Sequence, residues 1–312
     1  MAITASQVKE LRESTGAGMM DCKKALVACD GDMAKAVDYL REKGLSKAAK
    51  KAGRIAAEGL VKFAFNADNT AACVVEFNTE TDFAAKNPEL AEFTQDLADM
   101  GLAAESVDEK SLLAMNYKDE GTVQDVVTAK IAKIGENMSV RRIVKVATPG
   151  VKYVGYLHNT GKIAVVIGLK TEASYEEVLV CGKDVAMQTA SMRPQFVNEA
   201  GVDAEYLAHE KEVILAQAMN ENAQLPEDKQ KPQAIVEKMI MGRLKKSLQE
   251  VCLVDQKFVK DSNMTVKQYV DSCAKELGKS IEVVEMIRYE VGEGMQKREE
   301  NFAEEVAKQM AQ

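Results

Sequence analysis

The spacing of apolar residues changes period along the chain, and the change marks its organisation. Val8, Leu11 and Thr15 fall on one side of a first helix that Ser6 can cap. Gly16-Ala17-Gly18 interrupts it, because glycine tolerates the backbone angles of a tight turn. Cys22, Ala25, Leu26 and Cys29 then recur at i, i+3, i+4 and i+7. After Gly31 and a cap at Asp32, Met33, Ala36, Val37 and Leu40 repeat the spacing, and Gly44 is expected to end this third helix. The basic, small-residue stretch 47–54 reads as an exposed linker helix, so residues 1–54 form a three-helix module on a tether.

From Glu58 the pattern alternates. Val61, Phe63 and Phe65 point one way, a polar turn spans residues 66–70, and Cys73, Val75 and Phe77 resume the alternation of a β-hairpin. Asn87-Pro88 opens a helix striped by Leu90, Phe93, Leu97 and Met100. Another helix over about residues 122–134 carries Val123, Val126, Val127, Ile131 and Ile134, and a strand follows at 140–146. The arrangement then recurs: strands at 154–157 and 163–169 flank a polar turn at 158–161, and Ser174 caps a helix carrying Val178, Val185 and Thr189. Residues 74–80 overlay on 166–172 in pattern, which predicts two related α+β halves, each a small antiparallel sheet backed by helices.

Residues 203–250 interrupt the second half as two helical stripes (Leu207, Ile214, Ala218, then Val236, Ile240, Leu244) around a loop with Pro226 and Pro232. Such a pair makes a helical hairpin, whose stripe must be covered by its own mate or by a second copy of the chain. Thr265 caps a further helix through Val266, Tyr269, Val270, Cys273 and Leu277, a strand follows at 282–291, and a last amphipathic helix carries Phe302, Val306 and Met310. The fold class expected is α+β. Its divisions are 1–54, a first core half at 55–147, and a second at 148–200 continued at 251–291. The hairpin at 201–250 is inserted in the second half, and a C-terminal helical segment occupies 292–312.

Composition narrows the chemistry. A formal net charge of −8 argues against direct grip on nucleic acid. Six cysteines lie far apart with no C-x-x-C pair, and two histidines cannot complete a metal set, so free thiols, no metal and no cofactor are expected. The chain carries no signal-like start and no apolar run that would span a bilayer, which together with the unpaired thiols suggests the cytoplasm. His158 and His209 sit in no nucleophile elbow, so no covalent chemistry is expected. Gly16-Ala17-Gly18 lacks the P-loop spacing, and Gly292-Glu293-Gly294 lacks the third glycine of a dinucleotide site.

Four segments carry a resemblance. Val8-Lys9-Glu10-Leu11-Arg12-Glu13-Ser14-Thr15-Gly16-Ala17-Gly18-Met19-Met20-Asp21-Cys22-Lys23-Lys24-Ala25-Leu26 resembles the N-terminal signature of the elongation factor Ts family. Glu76-Phe77-Asn78-Thr79-Glu80-Thr81-Asp82-Phe83-Ala84-Ala85-Lys86-Asn87 resembles its second signature, and residues 258–261 and 288–294 are similar to its C-terminal half.

The resemblance implies a ubiquitin-associated-like N-terminal domain, a duplicated core and a dimerisation hairpin. It implies binding to GDP-bound and nucleotide-free elongation factor Tu, with faster GDP release. By motif, Thr81, Asp82 and Phe83 would form the intruding turn, with Phe83 as the wedge that disturbs the partner's magnesium and phosphate site. Arg12, Met19 and Met20 would dock a partner helix, and Ile134, Gly135, Glu136 and His158 would lie at contact loops. The chain departs from the family's usual pattern at Lys162-Ile163-Ala164 and at residues 192–197. The rival expectations are an adaptor that binds without changing nucleotide release, and an enzyme with an unrecognised site.

Overall fold

The computed structural model describes residues 3–296 apart from 16, 227 and 228; Gly16 and the helix expected around Phe302, Val306 and Met310 lie outside the described residues. The elements in order are α1 (Ala5–Thr15), α2 (Met19–Ala28), α3 (Met33–Ala49), β1 (Glu58–Phe65), β2 (Ala72–Thr79), α4 (Asp82–Ala85), α5 (Pro88–Ala103), α6 (Glu109–Ala114) and α7 (Val123–Ile134). There follow β3 (Met138–Val146), β4 (Val151–His158), β5 (Ile163–Thr171), α8 (Tyr175–Met192), α9 (Ala204–Ala223), α10 (Gln233–Val251), β6 (Lys257–Phe258), β7 (Asp261–Thr265), α11 (Val266–Leu277) and β8 (Ile281–Glu290). The chain is α+β, as expected.

Two three-stranded antiparallel sheets, β1-β2-β3 and β4-β5-β8, share one topology. The overlaid segments fall on β2 and β5, the central strand of each. Their irregularities coincide too. The β2–β3 register shifts between Glu76 and Phe77, and the β5–β8 register between Gly168 and Leu169, which are equivalent positions of the overlay. A bulge places the same local twist in both halves.

β2 is buried at every position rather than on alternate ones. Val75 and Phe77 pack on Leu90, Phe93 and Leu97 of α5, while Ala72 and Val74 meet Val151, Tyr153, Ala164 and Val166 of the other sheet. The sheets therefore face each other, with helices outside both; Val165, Ile167 and Leu169 turn outward toward α8 and α11. Gly155 belongs to this close approach, since a Cβ there would meet the Phe63 ring at 2.6 Å. Glu76 lies in the layer between the sheets with no exposure, and Arg141, Arg142 and the Gly292 amide satisfy its carboxylate. A buried charge is tolerated only when paired in this way.

Four local expectations are corrected. Thr4, not Ser6, caps α1: its hydroxyl accepts from the Gln7 amide at 3.3 Å while the Gln7 side chain accepts from the Thr4 amide at 3.0 Å. That reciprocal bonding needs a side-chain acceptor three places on, which Thr4 has in Gln7 and Ser6, followed by Lys9, lacks. Gly44 does not stop α3, which runs through it to Ala49; a Cβ added there would make only ordinary contact with α7, 3.7 Å from that of Ala132. The N-terminal helices are consequently docked rather than tethered, and the Arg41 guanidinium reaches Asp125 at 2.8 Å. The linker helix expected at 47–54 is the end of α3 followed by turns. The short elements α4, α6, β6 and β7 carry too few residues to show a period and were not foreseen.

Candidate functional site

The exposed end of the first sheet is built by the turn after β2. The Thr79 hydroxyl donates to the Thr81 carbonyl at 2.8 Å, and the Thr81 hydroxyl accepts from the Ala84 amide at 3.2 Å as the N-cap of α4. Ala84 is buried in the first core, so it anchors the four-residue helix from below. Its neighbour Phe83 is left 82% exposed, the most exposed large apolar side chain among the described residues. Asp82 accepts from the Lys86 ammonium at 2.6 Å, and that bond holds its carboxyl below the usual range, with a further contribution from Lys162.

The second segment arrives from α7. Thr122 and Asp125 form a capping box at its start, and at its end Gly135 adopts φ 90°, a left-handed conformation that glycine favours. Ile134 packs against the first core, and beyond Gly135 the chain turns so that Glu136 faces Thr81. The Glu136 carboxylate accepts from the Thr81 amide at 3.0 Å and from the Thr81 hydroxyl at 2.7 Å. Glu80 makes the return contact, accepting from the Asn137 amide at 2.5 Å. Residues 81–83 and 134–136, named separately from sequence, are thus one structural unit.

His158 ends β4, its Nδ1 2.9 Å from the Tyr156 hydroxyl. Its turn lies close to the same end, because Lys162 pairs with Glu58 at 2.8 Å and Glu58 stands opposite Thr79 in the β1–β2 register. Arg12, Met19 and Met20 are elsewhere, exposed on the α1–α2 corner, with Met19 52% and Met20 63% exposed. Between this corner, α3 and α7 runs a cleft of about 480 Å³ lined by residues that include Asp21, Arg41 and Asp125. Sequence reasoning missed Glu80, Lys86, Asn137 and Lys162. Glu80 and Asn137 pair across 57 positions and Lys162 and Glu58 across 104, separations that no local period signals, whereas Lys86 lies one helical turn from Asp82.

Among the described residues no group of three His, Cys, Asp or Glu side chains is placed to hold a metal, and no helix is long and apolar enough to cross a membrane.

Comparison with known proteins places the chain in a family. The family model described as elongation factor TS matches residues 80–293, more than half of the chain, beginning at the Glu80 turn and ending beyond β8. The chain is 58% identical over 308 residues to elongation factor Ts of Clostridioides difficile (strain 630), covering 99% of both chains. It is 49% identical over 312 residues to elongation factor Ts of Clostridium novyi (strain NT), again with 99% of each chain covered. Against elongation factor Ts of Clostridium perfringens (strain SM101 / Type A) the identity is 49% over 306 residues, 98% of each. The chain belongs to the elongation factor Ts family of translation elongation factors.

Proposed function

We propose that the protein is a guanine-nucleotide exchange factor that binds elongation factor Tu in its GDP-bound and nucleotide-free forms and speeds GDP release without covalent chemistry. The observation that carries this reading is Phe83, an aromatic ring left 82% exposed on a turn anchored by buried Ala84 and by Glu136. A ring that finds a pocket only in a distorted partner supplies differential affinity for that state, and only such a difference shifts an equilibrium. Weakening nucleotide binding by a factor of about 10⁴ takes roughly 5.5 kcal/mol of bias, which a few buried anchors can provide.

In this reading Thr81, Asp82 and Phe83 intrude on the partner's magnesium and phosphate site. Ile134, Gly135, Glu136 and His158 flank them. Arg12, Met19 and Met20 dock a partner helix through a ubiquitin-associated-like domain at 1–54. The hairpin at 201–250 is inserted between 148–200 and 251–291, the second core half, which follows a first half at 55–147. It covers its own stripe through Ile214, Ala218, Val236 and Ile240, and it is the segment available for a homodimer. The protein works in the cytoplasm, without direct contact to nucleic acid or membrane.

The test follows release of a fluorescent GDP analogue from elongation factor Tu by stopped flow in excess unlabelled nucleotide. Catalytic amounts of the chain should accelerate release by orders of magnitude. Co-elution of the two proteins with unchanged release would replace this reading with that of an adaptor.

A further inference from the structure

The wedge turn and the loop after α7 are joined by two carboxylates acting in opposite directions. Glu136 accepts from both the amide and the hydroxyl of Thr81, at 3.0 and 2.7 Å. Glu80, whose side chain is only 14% exposed, accepts from the Asn137 amide at 2.5 Å and lies 3.5 Å from the Arg54 guanidinium. Asn137 extends the connection, donating through its side-chain amide to the Arg54 carbonyl at 2.7 Å.

With the Thr79 hydroxyl on the Thr81 carbonyl, the amide, carbonyl and hydroxyl of Thr81 are all engaged, two positions before Phe83. A carboxylate accepts without donating, so it can take two donors at once, and a bond to a charged acceptor is stronger than one to an amide. An exposed four-residue helix cannot hold its own geometry, since a single turn fixes several dihedrals for one hydrogen bond.

From this reciprocal pair we infer that Glu136 and Glu80 are positioning residues, which act by fixing the turn that carries Phe83 rather than by touching the partner. The inference rests on the exchange reading for its functional consequence, but not for the clamp itself. The clamp predicts that truncating Glu136 lowers the maximal rate of exchange and leaves the affinity for the partner nearly unchanged. It also predicts that the loss depends on Phe83 being present.

Two measurements test it. In the free chain, amide hydrogen exchange should show Thr81 protected, and Glu136→Ala should raise its exchange about tenfold or more, the factor expected for one hydrogen bond to a charged acceptor. Glu136→Gln, which keeps one acceptor oxygen, should fall between. An unchanged Thr81 rate in Glu136→Ala removes the clamp, whatever the protein does to its partner.

The second measurement is a double-mutant cycle on GDP-analogue release with Glu136→Ala, Phe83→Ala and both together. The expected result is a plateau rate about tenfold lower for Glu136→Ala, a half-saturating concentration within about twofold of the parent, and no further loss when Phe83 is already alanine. Fully additive losses, or a raised half-saturating concentration with an unchanged plateau, would make Glu136 a direct contact and overturn the inference. If the parent chain itself fails to accelerate release, the exchange reading falls, and the Thr81 amide still decides the clamp.

Discussion

Replacing Phe83 by alanine separates a partner contact from a core contact, because the two assign opposite costs to the same deletion. A buried phenylalanine truncated to alanine loses about 3–5 kcal/mol of folding stability. Phe83 is 82% exposed, and among the described residues its ring interaction is with the Lys86 ammonium, 5.8 Å from the centroid. An exposed cation–π pair of that kind contributes about 0.5–1 kcal/mol at most, so the variant should lose under about 1 kcal/mol in urea unfolding. The functional cost runs the other way. A phenylalanine exposes roughly 200 Å², of which about 160 Å² is free here and about 130 Å² is lost on truncation. At about 25 cal/mol per Å² that is roughly 3 kcal/mol of partner-state stabilisation, about a hundredfold in the rate of nucleotide release. Stopped-flow release and equilibrium unfolding on the same preparation decide between them. Unfolding weakened by several kcal/mol, or exchange as fast as in the parent, would refute the wedge.

Glu89 accepts from Lys130 and Lys133, each at 2.8 Å, and these bonds pull its carboxyl down from 4.5 to about 2. A lowered folded value adds stability above the unfolded one and loses it as pH falls from about 4.5 toward about 2. Unfolding midpoints of Glu89→Gln should therefore decline less than the parent's on acidification, by a small amount because the carboxylate is partly exposed. An equal decline would show the pair to be idle. Gly182→Ala should destabilise the second half by about 1–2 kcal/mol in urea: the new Cβ would stand 2.6 Å from a Val154 methyl, and overpacking outweighs the roughly 1 kcal/mol gain in helix propensity. A more stable variant would mean that α8 and β4 yield. Burial pushes the Cys73 thiol up to about 12, so in native protein at about pH 8 it should resist a disulfide-exchange reagent while partly exposed Cys29 reacts. Early labelling of Cys73, read by peptide mass, would contradict its placement.

Much of the architecture was legible because local physics repeats along the chain. The Asn87 cap with proline following, the caps at Ser174 and Thr265, and the alternation of Val61, Phe63 and Phe65 each rest on neighbours a few residues apart. The kinship of the two sheets was visible as a pattern, and the structure adds matched bulges that no pattern of apolar residues carries. The failures were local as well: Ser6 looks like a cap from its residue type alone, whereas the cap at Thr4 depends on Gln7 closing the box. Gly44 suggests a stop because glycine often follows a helix, yet inside one it costs only about 1 kcal/mol of propensity, which the packing of α3 on α7 offsets.

The sequence by itself determined the period of each long element, the fold class and, through its motifs, the family. Tertiary structure alone decided how those elements meet. β2 alternates in the chain, yet it is buried on both faces because a second sheet covers the side that solvent would otherwise wet. Glu136 and Thr81 stand 55 positions apart, and the bonds between them arise only because Gly135 turns the end of α7 toward the end of β2. Hydrogen bonds and hydrophobic contact act over a few ångströms of space, whereas periodicity records distance along the chain, so a pairing of remote segments leaves no trace in the spacing of either.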